Sequence, residues 1–184
     1  VEYVRVIVDQ DHFNSRKLKL LPGSRNYPLA QDLDASSHVV EVVKETYSGN
    51  GRLYLQAVNV VDGHPLFSPQ AKPRLRIQFY GDSNLAGYSL EHERNQDGAE
   101  YCGCHFTFAG IASRMLGAEY QNISVSGATI LSGQNSVLSF FNRVDYYAAE
   151  PKWKFDKFSA DICVVNIGAN DITRRGKQEI LKHY

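Results

Sequence analysis

The sequence predicts a mixed α/β fold in two parts: an antiparallel β-sandwich over residues 1–72, then a doubly wound α/β sheet over residues 73–184. Three observations predict it. The first part carries short apolar runs of period two, separated by turn signals and without a long amphipathic helix. The second part alternates strand-like with helix-like runs, the pattern of a sheet flanked by helices. Between them, Pro65, Pro69 and Pro73 exclude a helix and suit an extended linker.

Each element has its own reason. Val4-Arg5-Val6-Ile7-Val8 places its valines on one face at period two, and residues 38–44 are rich in valine. Leu53, Leu55 and Ala57 alternate with Tyr54 and Gln56, which predicts another strand. Pro22-Gly23-Ser24, Ser48-Gly49-Asn50-Gly51 and Asp62-Gly63 are the turns between these runs. In the second part, Leu75, Ile77 and Phe79 form a strand that ends at Gly81-Asp82-Ser83. Phe108, Ile111, Ala112 and Met115 fall at helical spacing within residues 106–116, and Gly117 is a natural helix stop. Residues 123–125 read as a second strand, followed by Ser126-Gly127. Val137, Phe140, Phe141 and Val144 suggest a further helix. Residues 162–167 form a continuous apolar run, expected to be a strand buried on both faces of a parallel sheet. That run ends in Gly168-Ala169-Asn170-Asp171, and residues 177–184 read as the start of another helix.

Composition excludes several function classes. The 184 residues are 43% hydrophobic and 22% charged, which is globular rather than disordered. Lys plus Arg equals Asp plus Glu at 20 each, so there is no global basic excess to neutralise nucleic-acid phosphates or acidic lipid. No apolar run approaches the ~20 residues of a membrane span. Cys102, Cys104 and Cys163 are an odd count and make no disulfide framework. The chain opens on Val1 inside a strand-like run, so it is expected to be processed or partial at its N-terminus, and the missing targeting segment says nothing of the compartment.

Three polar or glycine-containing turns, Gly81-Asp82-Ser83, Ser126-Gly127 and Gly168-Ala169-Asn170-Asp171, each follow a predicted strand. In an open α/β sheet the carboxyl ends of the parallel strands line the ligand crevice, so residues far apart in sequence converge there. The types suit acyl transfer. Ser83 supplies a nucleophile, the main chain at Gly127 approaches a developing oxyanion closely, and the Asn170 carboxamide adds a donor.

In this order the three turns resemble the first three sequence blocks of the SGNH, or GDSL, hydrolases. A narrower resemblance covers most of the chain. His38-Val39-Val40-Glu41-Val42-Val43-Lys44-Glu45-Thr46 is similar to a strand of the β-sandwich that precedes the catalytic domain in carbohydrate-esterase family two. Arg76-Ile77-Gln78-Phe79-Tyr80-Gly81-Asp82-Ser83 follows as in that family. So does Trp153-Lys154-Phe155 ahead of the 162–167 run. The resemblance implies a jelly-roll-like sandwich followed by a flavodoxin-like SGNH domain, in a secreted or cell-surface enzyme that removes acetyl groups from polysaccharide without a cofactor. It implies that Ser83 attacks the ester carbonyl. The Ser83 N–H, the Gly127 N–H and the Asn170 side chain would receive the oxyanion, and Asp82 and Asp171 would hold the turns. Asn84 departs from the usual aliphatic residue after the serine and puts local packing in question.

The general base is missing. A serine hydroxyl is a poor nucleophile until a neighbouring base takes its proton. The family's base is a histidine in a fourth block well downstream of the asparagine. His183 is the one candidate here, and a helix running through it leads away from the strand ends. Asp62-Gly63-His64-Pro65 spells that fourth block but precedes the serine and reads as a turn. By the resemblance, the chain is therefore expected to be truncated at both ends, with a partial β-sandwich that lacks early strands and an incomplete flavodoxin-like α/β sheet that lacks its last units and the base. A serine hydrolase without a triad member keeps only ~10³–10⁴-fold acceleration over water, so residues 1–184 alone are expected to be a feeble esterase at best. An incomplete sheet would expose apolar edges and call for a second chain or further segments to complete it.

Other motifs carry less. Cys102-Gly103-Cys104-His105 lacks the second ligand pair of a structural zinc site, so no metal is assigned. Asn122-Ile123-Ser124 is a glycosylation sequon leading into a predicted buried strand. Trp153, Phe155 and Phe158 read as packing rather than a sugar-stacking platform, and Tyr88, Tyr101, Tyr146 and Tyr147 have no placement from sequence. Two functions remain: a serine esterase acting on O-acetylated carbohydrate or a small acetyl ester, and a catalytically inactive structural or carbohydrate-binding protein on the same fold.

Overall fold

A computed structural model describes residues 1–60, 64–68, 73–131 and 135–175. Strands β1 (Glu2–Val8), β2 (Arg16–Leu20) and β3 (Val40–Lys44) form an antiparallel sheet in the order β2-β1-β3. Strand β1 is central because both its edges are paired: Val4 lies opposite Leu18 on one side and Lys44 on the other. It is also the best-buried strand, with Val4, Val6 and Ile7 almost inaccessible. The strand expected around residues 53–57 does not form. Residues 51–60 have no regular structure, and Tyr54 and Leu55 are three-quarters exposed. Alternation specifies which side chains share a face, but a strand also needs a hydrogen-bonded neighbour, and this segment has none among the described residues.

The second sheet is parallel, with β4 (Arg76–Gly81) between β5 (Glu119–Ser124) and β6 (Ile162–Asn166). Helix α1 (Ser83–Ala86) leaves the end of β4, and α2 (Phe108–Met115) leads back to β5. Helix α3 (Val137–Phe140) is shorter than its apolar spacing suggests, and α4 (Ala169–Arg175) follows β6. Ile77 and Phe79 of β4 pack with Leu85 and Ala109, and the Phe108 ring meets Phe79 edge-on at 6.2 Å. Val125, Ala128 and Phe140 form a second cluster beside Ile123 and Ile167. Helix α4 begins at Ala169, directly after Gly168, and the helix expected over residues 177–184 lies outside the described residues. The expected boundary between the two parts falls beside residues 69–72, which lie outside it as well.

Strand β6 corrects one expectation. It is not buried on both faces: Ile162 is 44% and Val165 63% exposed. An apolar run in a parallel sheet is buried only where neighbours cover it, and among the described residues β6 is an edge strand paired with β4 alone.

Charged groups join the two sheets. Arg5 projects from β1 and pairs with Glu45 and with Glu91, and its guanidinium lies 4.6 Å from the Phe106 ring centroid. Glu45, fully buried, also accepts the His105 backbone N–H at 2.8 Å. Lys17 of β2 reaches Glu91 at 2.9 Å. His105 lies between His12 (3.2 Å) and Arg114, whose guanidinium donates to the His105 carbonyl at 2.9 Å. Burial first, then the charges of Arg114, His12 and Arg5, hold the His105 imidazole down to about 4, against an ordinary 6.5.

This makes stability pH-dependent. An imidazole depressed by folding contributes its full stability above pH 6.5 and loses it as pH falls toward 4, because the unfolded chain takes up the proton first. Glu45 acts in the opposite sense, since burial raises its carboxyl. The test is therefore the difference between two denaturant-unfolding series. Between pH 6.5 and 4, wild-type stability should fall more steeply than that of His105→Gln, and parallel curves would refute the assignment.

Candidate active site

Ser83 is the first residue of α1, at the carboxyl end of β4. The preceding Asp82 caps this helix: its buried carboxylate accepts from the Asn84 backbone N–H at 3.0 Å and from the Asn84 side chain at 3.1 Å. Asn84 itself is exposed, so its polarity conflicts with nothing. The Asn122 carboxamide donates to the Leu85 carbonyl at 2.7 Å and ties α1 to β5. Its inward role leaves the sequon asparagine bonded within the fold. Gly81 permits the approach of α1 and β6, since a Cβ there would stand 2.9 Å from the Asn166 carbonyl and 2.3 Å from Leu85 Cδ1.

Gly127 lies in the turn after β5. The Ala128 N–H closes this turn onto the Val125 carbonyl at 3.0 Å, and Gly127 occupies the third position at φ +78°, where type II turns need glycine. The turn is fixed to the end of β4 by the Val125 N–H, which donates to the Gly81 carbonyl at 3.2 Å.

Asn170 is the second residue of α4, not its cap, and its carboxamide donates to the Ala128 carbonyl at 2.9 Å. The neighbouring Asp171 is 1% exposed and accepts the Ile130 and Leu131 backbone N–H groups at 2.9 and 3.0 Å. The Ser83, Gly127 and Asn170 turns thus leave the same end of one parallel sheet and are bonded to one another through Gly81, Val125 and Ala128.

The remaining candidates lie elsewhere. His64 is exposed, whereas Asp62, Gly63 and His183 fall outside the described residues. His38 bonds Asp9 and Asp34, His92 bonds the Arg94 main chain, and His12 and His105 bond each other. Among the described residues, then, no histidine is hydrogen-bonded to Ser83. Cys104 is half-buried, and its thiol is pushed up to about 11 by desolvation first and then by Glu45, so it is no nucleophile at neutral pH. Phe158 is buried beneath the Arg76 guanidinium, while Phe155 stacks on Phe141.

Sequence reasoning missed two neighbours of the Gly127 turn. A Cβ at Gly127 would stand 3.1 Å from Arg174 Nη2 and 3.9 Å from Asn135 Nδ2. Arg174 follows Asn170 by four residues, so helical spacing was an available signal once α4 was placed at Ala169. Nothing in the sequence linked Asn135 to this turn.

The GDSL-like Lipase/Acylhydrolase family profile matches residues 77–183, more than half of the chain. The chain belongs to that family. An acetylxylan esterase / glucomannan deacetylase of Cellvibrio japonicus is 20% identical over 179 residues, covering 93% of this chain and 49% of the relative. A family two carbohydrate esterase of Clostridium thermocellum, solved with cellohexaose, superposes with a TM-score of 0.84 at 18% identity over 99% of this chain and 60% of that one. A carbohydrate esterase family 2 enzyme of Corynascus thermopiles (Myceliophthora fergusii) gives 0.75 at 23% identity, over 100% and 62%. The chain therefore has the GDSL-hydrolase fold with the partial β-sandwich of these esterases. It spans about half the length of the curated relative it matches.

Removing the Asp171 carboxylate should strip two buried N–H groups of their acceptor. Asp171→Ala should cost about 2–6 kcal/mol, at ~1–3 kcal/mol for each orphaned donor. Urea midpoints measure this, and an unchanged midpoint would show that the turn does not depend on the carboxylate.

Proposed function

We propose that the protein is a serine esterase that removes O-acetyl groups from carbohydrate. The reading is carried by one observation: the Ser83 turn, the Gly127 turn and the Asn170 carboxamide are bonded together at the carboxyl end of a single parallel sheet. Family membership and the acetylxylan esterase relative support it.

In this reaction Ser83 Oγ attacks the acetyl carbonyl carbon while its proton passes to a base. The described histidines are not bonded to Ser83, so none of them is assigned as the base. The carbonyl oxygen becomes an oxyanion and accepts from the Ser83 and Gly127 N–H groups and from Asn170. A carboxamide has two N–H bonds, and one is spent on the Ala128 carbonyl, leaving the other for the oxyanion. The same hydrogen bond holds the carboxamide in place before reaction, so no reorganisation is needed as charge develops. Collapse of the intermediate expels the sugar alkoxide, which takes the proton. Water then cleaves the acyl-serine to release acetate and restore the hydroxyl.

No cofactor enters this scheme. Among the described residues no helix is long and apolar enough to cross a membrane. A secreted or surface-attached enzyme fits a polymeric substrate.

A fluorophosphonate probe should label Ser83 in the full-length protein. Ser83→Ala should abolish labelling and acetate release from acetylated xylan. Asn170→Ala should lower kcat by about 10²–10³-fold, the cost of one oxyanion donor, with a smaller change in KM. Retained turnover in Ser83→Ala would end the esterase reading. An unlabelled, inactive wild type would favour the non-catalytic carbohydrate-binding alternative.

A further inference from the structure

The Gly127 turn carries two donor groups that the scheme above does not use. Arg174 Nη2 and Asn135 Nδ2 lie 3.1 and 3.9 Å from the point where a Gly127 Cβ would stand. They come from different elements. Arg174 is on the face of α4 that carries Asn170, and Asn135 precedes α3.

Each is held differently. The Asn135 side-chain oxygen accepts the Tyr146 hydroxyl at 2.7 Å, which leaves its NH₂ directed at Gly127. The Asn135 main chain is fixed too, since its carbonyl accepts the Thr129 N–H at 3.1 Å. Arg174 is exposed, and among the described residues no carboxylate pairs with it. The Gly127 main chain is therefore flanked by two donors, one of them a full positive charge with no carboxylate partner among the described residues.

We infer that Arg174 and Asn135 form a subsite for a carboxylate on the carbohydrate, so that the site prefers uronic-acid-bearing substrates over neutral ones. A neutral hydroxyl would satisfy one donor and leave the guanidinium's charge uncompensated. A carboxylate satisfies both, because its two oxygens can take the planar guanidinium and the carboxamide together. This assignment rests on the esterase reading for its place beside the acyl centre, since Gly127 there supplies an oxyanion N–H. Its test does not depend on turnover.

Isothermal titration of the full-length protein with xylo-oligosaccharides of equal length, with and without a glucuronic acid substituent, is the measurement. Wild type should bind the acidic sugar at least about tenfold tighter at low salt, as a charge-assisted contact allows, and the difference should shrink as ionic strength rises. Arg174→Gln should erase the difference, and Arg174→Lys should retain part of it. Equal affinities in wild type, or an undiminished preference in Arg174→Gln, would overturn the inference. Loss of the esterase reading shows separately, as absent Ser83 labelling, while the acid preference is read from binding alone.

Discussion

The arrangement around Ser83 depends on a two-way set of hydrogen bonds between one turn and a segment forty residues earlier in the chain. Asn170 donates to the Ala128 carbonyl, and Asp171 accepts from the Ile130 and Leu131 N–H groups. Acceptance by a carboxylate alone would fix the distance between the segments. With a donor added on the adjacent residue, their relative orientation is fixed as well. The turn holding Gly127 cannot rotate without breaking a bond buried from water, where an unpaired amide is costly. Val125 and Ala128 flank that turn and lie in an apolar cluster with Phe140. Packing and polar pairing thus hold the same few residues.

The antiparallel sheet reaches the serine through a different route. Glu45 accepts the His105 N–H, and His105 lies in the short helix Cys104–Phe106. The preceding Gly103 donates to the Gly87 carbonyl at 2.9 Å, and Gly87 terminates the helix that opens with Ser83. A continuous series of hydrogen-bonded segments therefore runs from β3 to α1. Its anchor is the buried Arg5–Glu45 pair. Such pairs contribute little net stability compared with apolar packing of the same volume, but losing one partner is costly. A pair of this kind defines where one sheet sits on the other more sharply than apolar side chains, which tolerate sliding.

What could be read from the sequence follows from what local patterns encode. Strand β4 was legible because it is central and its alternation, turn chemistry and terminal glycine agree. The three site turns were legible because each pairs a predicted strand end with an unusual residue requirement. The apolar run of β6 was read correctly as a strand and wrongly as buried on both faces, because Ile162 and Val165 specify apolarity and their cover comes from elsewhere. Residues 53–57 show the same gap: alternation was present and a partner strand was not. Arg174 and Asn135 were not legible as neighbours of Gly127 because they come beside it only once α4 and the Gly127 turn are placed against each other.

Zero net charge gives no bulk attraction to nucleic acid or acidic lipid, and it conceals how the charges are distributed. Among the described residues many charges are paired: Arg5 with Glu45 and Glu91, Lys44 with Glu2, Arg52 with Asp145, Arg76 with Glu119. Once these are matched, the charges that remain unmatched matter more than the total. At the end of the parallel sheet, Asp82 and Asp171 are consumed by capping and by main-chain N–H groups, so neither offers a carboxylate to the crevice. Both anions of the site are thus structural, whereas its nearby cation is exposed. Beside the Gly127 turn, the Arg174 guanidinium is accordingly a charge that stays open to solvent, in a chain whose total charge is zero. Where each charge sits at this end of the sheet therefore says more than the sum over the chain.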